Sequence, residues 1–370
     1  MMGGRLVVGG WLVCCWIVGM GGFGPLVWGQ VMVDPSVRWD AVQVGGSVCA
    51  LEVRDERTVY YAGSNGVWGY TRDGGEHWHH DSILWEGRRP AFRALAVTSE
   101  AIHLLSIESP ALLLRSTDWG VTWECVFRED HPDAFFDALA FWDDREGLAW
   151  GDPLPNASGK RVMAVRITRD GGRTWEAVAA RRLPEVASGE AAFAASNGNI
   201  ALSGDTAWCI TGGMASRVFR TPDRGRTWTV HETPIQQGGT MTGMFSVDFA
   251  DGLRGWAMGG NWAEMSDNSA NKVFTVDGGT TWERLTPGEG PGYRSCVRVV
   301  PGSGGRDVWA VGPTGVSRSG DGGRSWEDVD VAGAAEGAYL TVRFTPSGDR
   351  AWLAGRGVIR SVDVRRAGRP

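Results

Sequence analysis

TRDGGRTW at residues 168–175 is a phrase that the chain repeats, with small changes, five more times. The other copies read TRDGGEHW (71–78), STDWGVTW (116–123), TPDRGRTW (221–228), TVDGGTTW (275–282) and SGDGGRSW (319–326). Successive aspartates are 45, 52, 53, 54 and 44 residues apart. A phrase that recurs at such a period indicates a modular fold in which each copy belongs to one supersecondary unit. We call it the Asp phrase.

A second recurring element, an apolar strand that ends in glycine, precedes the Asp phrases. It is clearest as WAMG at residues 256–259 and WAVG at 309–312, and a further apolar run, such as ALAV at 94–97, lies before it. Each repeat therefore reads as four short antiparallel strands, with the Asp phrase between the third and the fourth. This strand content predicts an all-β protein, a β-propeller built from four-stranded antiparallel blades.

The six Asp phrases leave part of the chain unassigned. After the sixth phrase, residues 340–344 and 352–355 read as two more strands, and residues 358–363 begin a phrase that is not completed. Residues 37–42 resemble the strand that follows each Asp phrase, and pairing them with the last repeat would cover exposed strand edges. The sequence therefore predicts a seven-bladed propeller over residues 30–370, with its ring closed by the N-terminal strand.

The N-terminus carries a different signal. Arg5 precedes a long apolar stretch at residues 6–29, an arrangement typical of a secretory signal peptide, and we place cleavage near Gly29. An uncleaved membrane anchor is the first alternative, since the stretch exceeds about 18 residues, but its glycines and Pro25 weigh against it. A lipoprotein signal is the second, but no small residue precedes Cys14. We expect an exported monomer, periplasmic or extracellular, with membrane contact at most through this segment.

Composition narrows the classes of partner and cofactor. The formal net charge is -6 and no window is strongly basic, which argues against nucleic acid as a partner. Cleavage leaves Cys49, Cys125, Cys209 and Cys296, each in a different repeat, and we interpret them as free thiols that are mostly buried. No cysteine pair has redox spacing, and no haem or dinucleotide motif is present, so we expect no cofactor and no metal.

The Asp phrase resembles the Asp box known from sialidases and many other propellers. Its carboxylate can accept hydrogen bonds from backbone N–H groups of its own hairpin, its glycine supplies positive φ, and its tryptophan can fill the space between blades. The alternative is a catalytic or metal-binding carboxylate, but six such sites around a ring could not converge on one substrate. We therefore interpret these aspartates as structural: Asp73, Asp118, Asp170, Asp223, Asp277 and Asp321.

The opposite face of a propeller is where a site is expected, around the central channel. The entries into the predicted innermost strands carry charged residues there, and the long loops at residues 151–160 and 260–271 should rise on the same face. The predicted ligand- or partner-binding residues are Arg93, Asp137, Asp152, Glu190 and Arg294. Arginine suits carboxylates, whereas the acidic groups could bind a cation, a sugar hydroxyl or a basic side chain. The alternative is that these charges pair with one another around a solvated channel.

Several phrases resemble those of bacterial propellers related to the photosystem II stability and assembly factor. They are FRAL (92–95), DALAFW (137–142), GDP (151–153), SGEA (188–191) and GYRSC (292–296). In the photosynthetic members of that family the role is to bind an assembling partner protein through a charged face. Some relatives are labelled oxidoreductase, which no motif here supports. The resemblance implies an exported, non-catalytic binding or assembly-factor-like propeller whose partner is a protein.

A glycoside hydrolase of the sialidase type is the alternative function. Sialidases resemble this chain in their Asp boxes and propeller, and they use arginines for the sugar carboxylate, a tyrosine nucleophile and acidic partners. The candidate catalytic residues are Asp137, Glu190 and Tyr293, and the ligand would be a carbohydrate or small anion. A retaining mechanism would need the Asp137 and Glu190 carboxyl groups about 5 Å apart. The Arg-Ile-Pro phrase typical of the sialidase N-terminus is absent.

Overall fold

The computed structural model describes residues 41–331 and 338–364. The predicted signal peptide at residues 1–29, the predicted domain start at residue 30 and residues 37–40 of the predicted closing strand lie outside the described residues. Within them, regular structure is almost entirely β. Two short 3₁₀ helices lie at Ser64–Gly66 and Ala180–Arg182.

The strands alternate along the chain with short turns. Up to residue 203 they are β1 (Ala41–Val53), β2 (Val59–Gly63), β3 (Val67–Thr71), β4 (His79–Ser82), β5 (Phe92–Val97), β6 (Ile102–Ser106), β7 (Ala111–Ser116), β8 (Glu124–Glu129), β9 (Phe136–Phe141), β10 (Gly147–Pro155), β11 (Arg161–Thr168), β12 (Glu176–Ala177), β13 (Glu190–Ala191) and β14 (Ile200–Ser203). Beyond it they are β15 (Thr206–Ile210), β16 (Gly212–Gly213), β17 (Arg217–Thr221), β18 (Thr229–Glu232), β19 (Thr242–Phe249), β20 (Gly255–Asn261), β21 (Lys272–Thr275), β22 (Glu283–Arg284), β23 (Cys296–Val299), β24 (Val308–Gly312), β25 (Gly315–Ser319), β26 (Glu327–Asp328), β27 (Tyr339–Phe344) and β28 (Arg350–Asp363).

Burial explains the strand composition within a sheet. The middle strands β6 and β7 are buried along their whole length, and they read as near-continuous apolar runs because other sheets cover both of their faces. The fourth strand, β8, is at the outer edge and carries exposed charged residues. The same gradient from apolar middle strands to polar outer strands recurs in the other sheets, which pack face to face as the blades of a propeller.

The prediction of seven blades is wrong, because the described strands form six antiparallel sheets. Four sheets have four strands each, in the orders β5-β6-β7-β8, β9-β10-β11-β12, β14-β15-β17-β18 and β23-β24-β25-β26. Two sheets have six strands, in the orders β27-β28-β1-β2-β3-β4 and β13-β16-β19-β20-β21-β22. The propeller therefore has six blades, two of them extended.

Long, continuous strands are the physical reason for the lower count. β1 pairs with β28 over Ala41 to Ser47 and with β2 over Val48 to Val53, so one strand belongs to two ladders. The last strands of the chain are thereby hydrogen-bonded into the first repeat and do not form a sheet of their own. The N-terminal strand does pair with the last one, in the register Ala41 with Arg360 and Gln43 with Val358.

The Asp phrase forms the turn between the third and fourth strands in six repeats. In the turn between β17 and β18, Asp223 Oδ1 accepts hydrogen bonds from the backbone N–H groups of Arg226 (3.0 Å) and Thr227 (2.8 Å). Its Oδ2 accepts one from Thr227 Oγ1 at 2.7 Å. Partial burial raises the pKa of Asp223, but these hydrogen bonds outweigh it and hold the pKa below its usual range. The other five aspartates each accept the backbone N–H four residues on, at His77, Thr122, Thr174, Thr281 and Ser325.

Two tryptophans hold the turn of the fifth Asp phrase, residues 275–282, from two sides. The tryptophan of the phrase closes its own turn, as Trp282 Nε1 does by donating to the carbonyl of Gly279 at 3.1 Å. A second tryptophan, on a middle strand of the preceding repeat, donates to the same turn: Trp208 Nε1 lies 2.8 Å from the carbonyl oxygen of Gly278. Both indoles are buried between neighbouring sheets. The sequence predicted this role only for the tryptophan of the phrase.

His103 occupies the corresponding position on β6. Its Nε2 donates to the carbonyl of Gly171 at 3.3 Å, and Arg115 Nε donates to the same oxygen at 3.1 Å. Burial lowers the pKa of His103 to about 4, so the imidazole is neutral near pH 7. A neutral ring with one N–H can therefore replace an indole at this contact.

The four described cysteines are free thiols. Cys49, Cys209 and Cys296 are buried in strands or at their start, and Cys125 is exposed on β8. This arrangement agrees with their interpretation as small apolar side chains rather than disulfide partners.

Candidate functional site

Bulges in the innermost strands shape the mouth of the central channel. Arg93 has no partner in the ladder between β5 and β6, because Phe92 pairs with Ser106 and Ala94 with Leu105. An extra residue of this kind bends the strand and redirects its side chain. The same irregularity occurs at Cys49, Asp137, Phe245 and Leu340, on four other innermost strands.

These bulges lie at the end of the sheets that is opposite the Asp phrases. Arg93 is beside Ser106 at the last residue of β6, whereas the neighbouring Asp phrase follows Ser116, which pairs with Ile102 at the other end of β6. A cavity of about 570 Å³ opens at this end, and we call it the funnel cavity. It is lined by Ser47, Arg93, Ile107, Phe135, Asp152, Ala191, Ala192, Phe193, Ala194, Ala195, Thr240, Met241, Phe245, Trp262, Tyr293, Ser295, Leu340 and Arg356.

One wall of the funnel cavity is aromatic. The rings of Phe193 and Phe245 stack with their centroids 4.3 Å apart, and Tyr293 meets Phe245 edge-on at 4.8 Å. Trp262 continues the series, edge-on to Tyr293 at 5.3 Å. Trp262 and Met241 are 38% and 41% exposed, so the rim presents apolar surface to solvent.

The charged residues of the cavity are Arg93, Arg356 and Asp152. Arg93 Nη1 donates to Cys49 Sγ at 3.1 Å and to the carbonyl of Ala194 at 3.2 Å, while its Nε has no partner among the described residues. Asp152 Oδ1 accepts the backbone N–H of Ala192 at 2.7 Å. Burial raises the pKa of Asp152 to about 6, against the lowering effects of this N–H group and of Arg161.

Asp137 is buried next to the cavity. Its side chain is fully inaccessible, and neither carboxyl oxygen has a hydrogen-bond partner among the described residues. Burial raises the pKa of Asp137 well above its usual range, and the charge of Asp152 adds to the effect, while the nearby amide of Ala194 opposes it. The predicted residues Arg93 and Asp152 thus line the cavity, and Asp137 lies behind its wall.

Glu190 is outside the cavity lining. Its carboxylate is held by the guanidinium of Arg217, with Nε 3.1 Å from Oε1, and by Thr211 Oγ1 at 2.6 Å. The sequence placed Glu190 at the entry of an innermost strand, but that strand is β14, which begins at Ile200. Glu190 instead belongs to β13, which extends a neighbouring sheet through β16.

Arg294 also points away from the cavity. It is buried, and its guanidinium donates to Ser317 Oγ at 2.7 Å and to the carbonyl of Tyr293 at 3.1 Å. Burial lowers the pKa of Arg294 to about 10, against the raising effect of Asp328. Ser295, one residue further on, lines the cavity in its place.

The predicted charges do not pair with one another. The ion pairs of Glu190 and Arg294 are with Arg217 and with Asp328, the latter at 3.9 Å. For a hydrolase the arrangement is unfavourable: Glu190 is occupied by Arg217, and the hydroxyl of Tyr293 has no partner among the described residues that could act as its base. Burial raises the pKa of Tyr293, which further disfavours its ionisation.

Sequence reasoning missed most of the apolar lining. Phe193, Phe245 and Met241 carry no motif, because a hydrophobic residue at a strand end looks the same whether it faces a core or a cavity. Trp262 had a usable signal, since it lies in the loop at residues 260–271 that was predicted to rise on this face. Arg356 is one of three arginines in β28, and nothing in the sequence distinguished it from the other two.

The opposite end of the channel holds a second group of charges. Glu52, Asp248, Arg298 and Arg343 line a cavity of about 370 Å³ there. Burial raises the pKa of both carboxyl groups and lowers the pKa of Arg343 to about 10. Their opposite charges offset one another, so we interpret this end as a buried structural network.

A small acidic and histidine cluster lies on the Asp-phrase face. Asp73, Glu76 and His77 offer ligand atoms that lie within 4.8 Å of one another. His77 Nδ1 is 2.8 Å from Asp73 Oδ2, which is the ordinary pairing of a phrase aspartate with its own turn. We therefore assign no separate role to it.

No model of a known protein family matches the chain. A curated relative does: the photosystem II assembly lipoprotein Ycf48 of Synechococcus sp. (strain CC9902) is 26% identical over 332 residues, which cover 88% of each chain. A solved structure described as YCF48 bound to D1 peptide has a TM-score of 0.66 and 17% identity, covering 91% of this chain and 100% of its own. The chain resembles Ycf48. The resemblance that the sequence motifs indicated is confirmed.

A second solved Ycf48 structure has the same fold. YCF48 from Cyanidioschyzon merolae has a TM-score of 0.61 and 18% identity, and the match covers 88% of this chain and 99% of the relative. At this level of identity the structural likeness establishes the propeller fold. In the described ranges, 41–331 and 338–364, no helix has the length and apolar character needed to cross a membrane.

Proposed function

We propose that the protein is an exported, non-catalytic binding propeller that holds a segment of a partner protein in the funnel cavity. The observation that carries the proposal is the cavity itself, with its aromatic wall, exposed Trp262 and Met241 at its rim, and Arg93, Arg356 and Asp152 around it. Exposed aromatic and Met side chains beside arginine are typical of the residues that dominate protein interfaces.

The resemblance to Ycf48 supports a protein partner over a carbohydrate. That relative is described as an assembly lipoprotein, and a Ycf48 structure contains a D1 peptide. A cavity of about 570 Å³ suits a few side chains of an extended segment. Arg93 and Arg356 suit carboxylates of the bound segment. The binding face that we propose is therefore charged, as the sequence predicted, and also apolar.

Export belongs to the same proposal. The relative's description as a lipoprotein supports a protein that leaves the cytoplasm or is attached to a membrane. The apolar stretch at residues 6–29 would direct export, with cleavage near Gly29. N-terminal sequencing of the protein purified from its own cells would find Gln30 first; an intact N-terminus would contradict the cleavage.

Capture of the partner tests the proposal. The mature chain serves as bait in envelope extracts, and it is compared with the double variant Trp262→Ala, Met241→Ala. We expect at least about a tenfold loss of the captured partner, because truncating a hot-spot side chain of an interface costs about 2 kcal/mol or more and tryptophan is enriched among hot spots. The Tm should stay near that of the wild type, since both side chains are partly exposed.

The matched control removes apolar surface from the Asp-phrase face. Leu253 and Val276 are 60% and 61% exposed, and the double variant Leu253→Ala, Val276→Ala should capture the partner normally. Equal capture by the wild type and the cavity variant, or loss only in the control, would overturn the proposal. A panel of fluorogenic glycosides that includes a sialoside tests the hydrolase alternative; turnover abolished by Glu190→Gln or Asp137→Asn would establish it.

A further inference from the structure

Two carboxyl groups lie near each other where β9 and β10 form the wall of the funnel cavity. Asp152 lines the cavity, and Asp137 lies behind it, close enough for the charge of Asp152 to act on its carboxyl group. Asp137 occupies the bulge of β9 that corresponds to the bulge of Arg93 on β5, which faces the cavity. Its neighbour Ala194 is itself a lining residue. Asp152 is therefore the carboxyl group of the pair that reaches the cavity, with Asp137 behind it.

No basic group of the described residues forms an ion pair with either carboxyl. Arg93 is occupied by Cys49 Sγ and the carbonyl of Ala194, and Arg161 pairs with Asp133 at 3.0 Å. A fully buried carboxyl whose oxygens both have no partner is costly, and native proteins rarely keep one without a role. Asp137 is out of a ligand's reach, but Asp152 in front of it reaches the cavity with one carboxyl oxygen that accepts no hydrogen bond from the described residues. That oxygen is open to a positive charge that arrives from outside.

We propose that Asp152, with Asp137 behind it, receives the ammonium group of a lysine side chain of the bound partner segment. This inference rests on the proposed function and adds to it the chemistry of one anchoring residue. Asp152 makes the direct contact, because it reaches the cavity surface. Asp137 lies behind it, and its raised pKa favours the neutral carboxyl, so Asp152 carries the negative charge of the pair.

The one carboxyl oxygen of Asp152 without a hydrogen bond favours lysine over arginine as its ligand. Asp152 Oδ1 already accepts the backbone N–H of Ala192, so one oxygen remains for the ligand. A guanidinium binds best through two parallel hydrogen bonds to both oxygens, whereas a compact ammonium group needs only one. The apolar stem of lysine can pack along the aromatic wall formed by Phe193, Phe245 and Trp262.

The positive charges of the cavity shape the rest of the ligand. Arg93 and Arg356 line the same cavity and disfavour an isolated cation. A segment that carries a carboxylate near its lysine would satisfy both the arginines and Asp152. We therefore expect a partner segment with both signs of charge and apolar residues between them.

The pH dependence has a definite sign. An ammonium group binds the ionised carboxyl, and the pKa of Asp152 is raised to about 6, with the pKa of Asp137 raised as well. Affinity should therefore rise as the pH increases through 6, and binding should release protons. The other charged groups near the pair are Arg161, whose charge acts on Asp152, and Arg93 and Arg356, which line the same cavity. Burial raises the pKa of the Cys49 thiol, which stays neutral.

Small probes test the site without the partner. We compare the binding of 6-aminohexanoate (the amine), which carries an ammonium group for Asp152 and a carboxylate for the arginines, with that of 6-hydroxyhexanoate (the alcohol) to the mature chain by NMR titration at pH 8 and pH 5. We expect the amine to bind about tenfold more tightly than the alcohol at pH 8, because one charge-assisted hydrogen bond contributes about 1.5 kcal/mol. The preference should be lost at pH 5.

Two variants complete the experiment. Asp152→Asn should abolish the preference for the amine while the alcohol still binds, and Glu283→Gln, which removes the same charge from an exposed outer strand, should keep it. Equal binding of the two probes, or a preference unchanged in Asp152→Asn, would overturn the inference. If Asp152→Asn does not fold, a pH-independent preference in the wild type would overturn it. Either result leaves the proposed function standing, since that depends on capture through Trp262 and Met241.

Discussion

Gly120 lies at a point of very close packing in the second Asp phrase. Its φ is +94°, and a β-carbon added there would lie 1.9 Å from the ring of the buried Trp68. Backbone conformation and space both require glycine at this position. Contact with the Trp68 indole therefore constrains this turn in addition to the hydrogen bonds of its aspartate.

Gly120→Ala should be strongly destabilising. Overpacking against Trp68 and strain at positive φ act together, and we expect a loss of about 3 kcal/mol in the free energy of unfolding, measured by urea titration. Gly87→Ala is the matched control, because Gly87 has a similar φ of +78° with nothing within 4 Å of an added β-carbon. The control should lose only about 1 kcal/mol. Equal losses would show that the contact with Trp68 is unimportant.

Single residues also decided how well the site could be predicted. Arg93 and Asp137 follow Phe92 and Phe136, and the structure has both at bulges, where the sequence predicted only the entries into innermost strands. Arg294 follows an aromatic residue in the same way, yet Ser295 takes the cavity position. A shift of one residue in the register moves a strand side chain to the other face of the sheet. The sequence alone does not show where a bulge produces such a shift.

At the scale of elements, the short strand β13 explains why Glu190 was misplaced. The segment between the third and fourth Asp phrases contains two more strands than the corresponding segments elsewhere, β13 and β16. β13 and β16 leave their own repeat and extend the sheet of β19, while β14 starts the innermost strand at Ile200. Apolar residues before and after this segment look alike, so strand partners could not be chosen without three-dimensional context.

The pairing of β1 with β28 should be essential for stability. Removing residues 30–45 from the mature chain takes away the backbone partners of Arg360, Ile359 and Val358. We expect a fall in Tm of about 6 °C, since the three lost residue pairs contribute about 1 kcal/mol each and each kcal/mol lowers the Tm by roughly 2 °C in a chain of this size. The comparison is with the chain that starts at residue 30. A Tm within 2 °C of that chain would contradict an essential role.

At the scale of the whole molecule, the repeat predicted the propeller architecture but not the number of sheets. Strand content, the turn at each aspartate and the face that carries the cavity all follow from local sequence patterns. The count of blades depends on whether the long strands β1 and β28 divide between two sheets or join them into one. This is decided by hydrogen bonds between residues that are distant in sequence, which no local sequence pattern predicts.

The funnel cavity joins residues from most of the ring. Its acidic wall comes from β10, its arginines from β5 and β28, and its aromatic wall from the segments around β13, β19 and β20. A site assembled in this way depends on the whole propeller, so a partner should be bound only by the folded chain. The Asp-phrase face should take no part.

Hydrogen exchange of the chain with and without its captured partner tests this account most directly. We expect slower exchange in the partner-bound state at residues 191–195, 240, 241, 245 and 262, which line the funnel cavity, and unchanged exchange in the turns of the six Asp phrases. Protection confined to the Asp-phrase turns, with none around the funnel cavity, would contradict the central claim that the partner binds there.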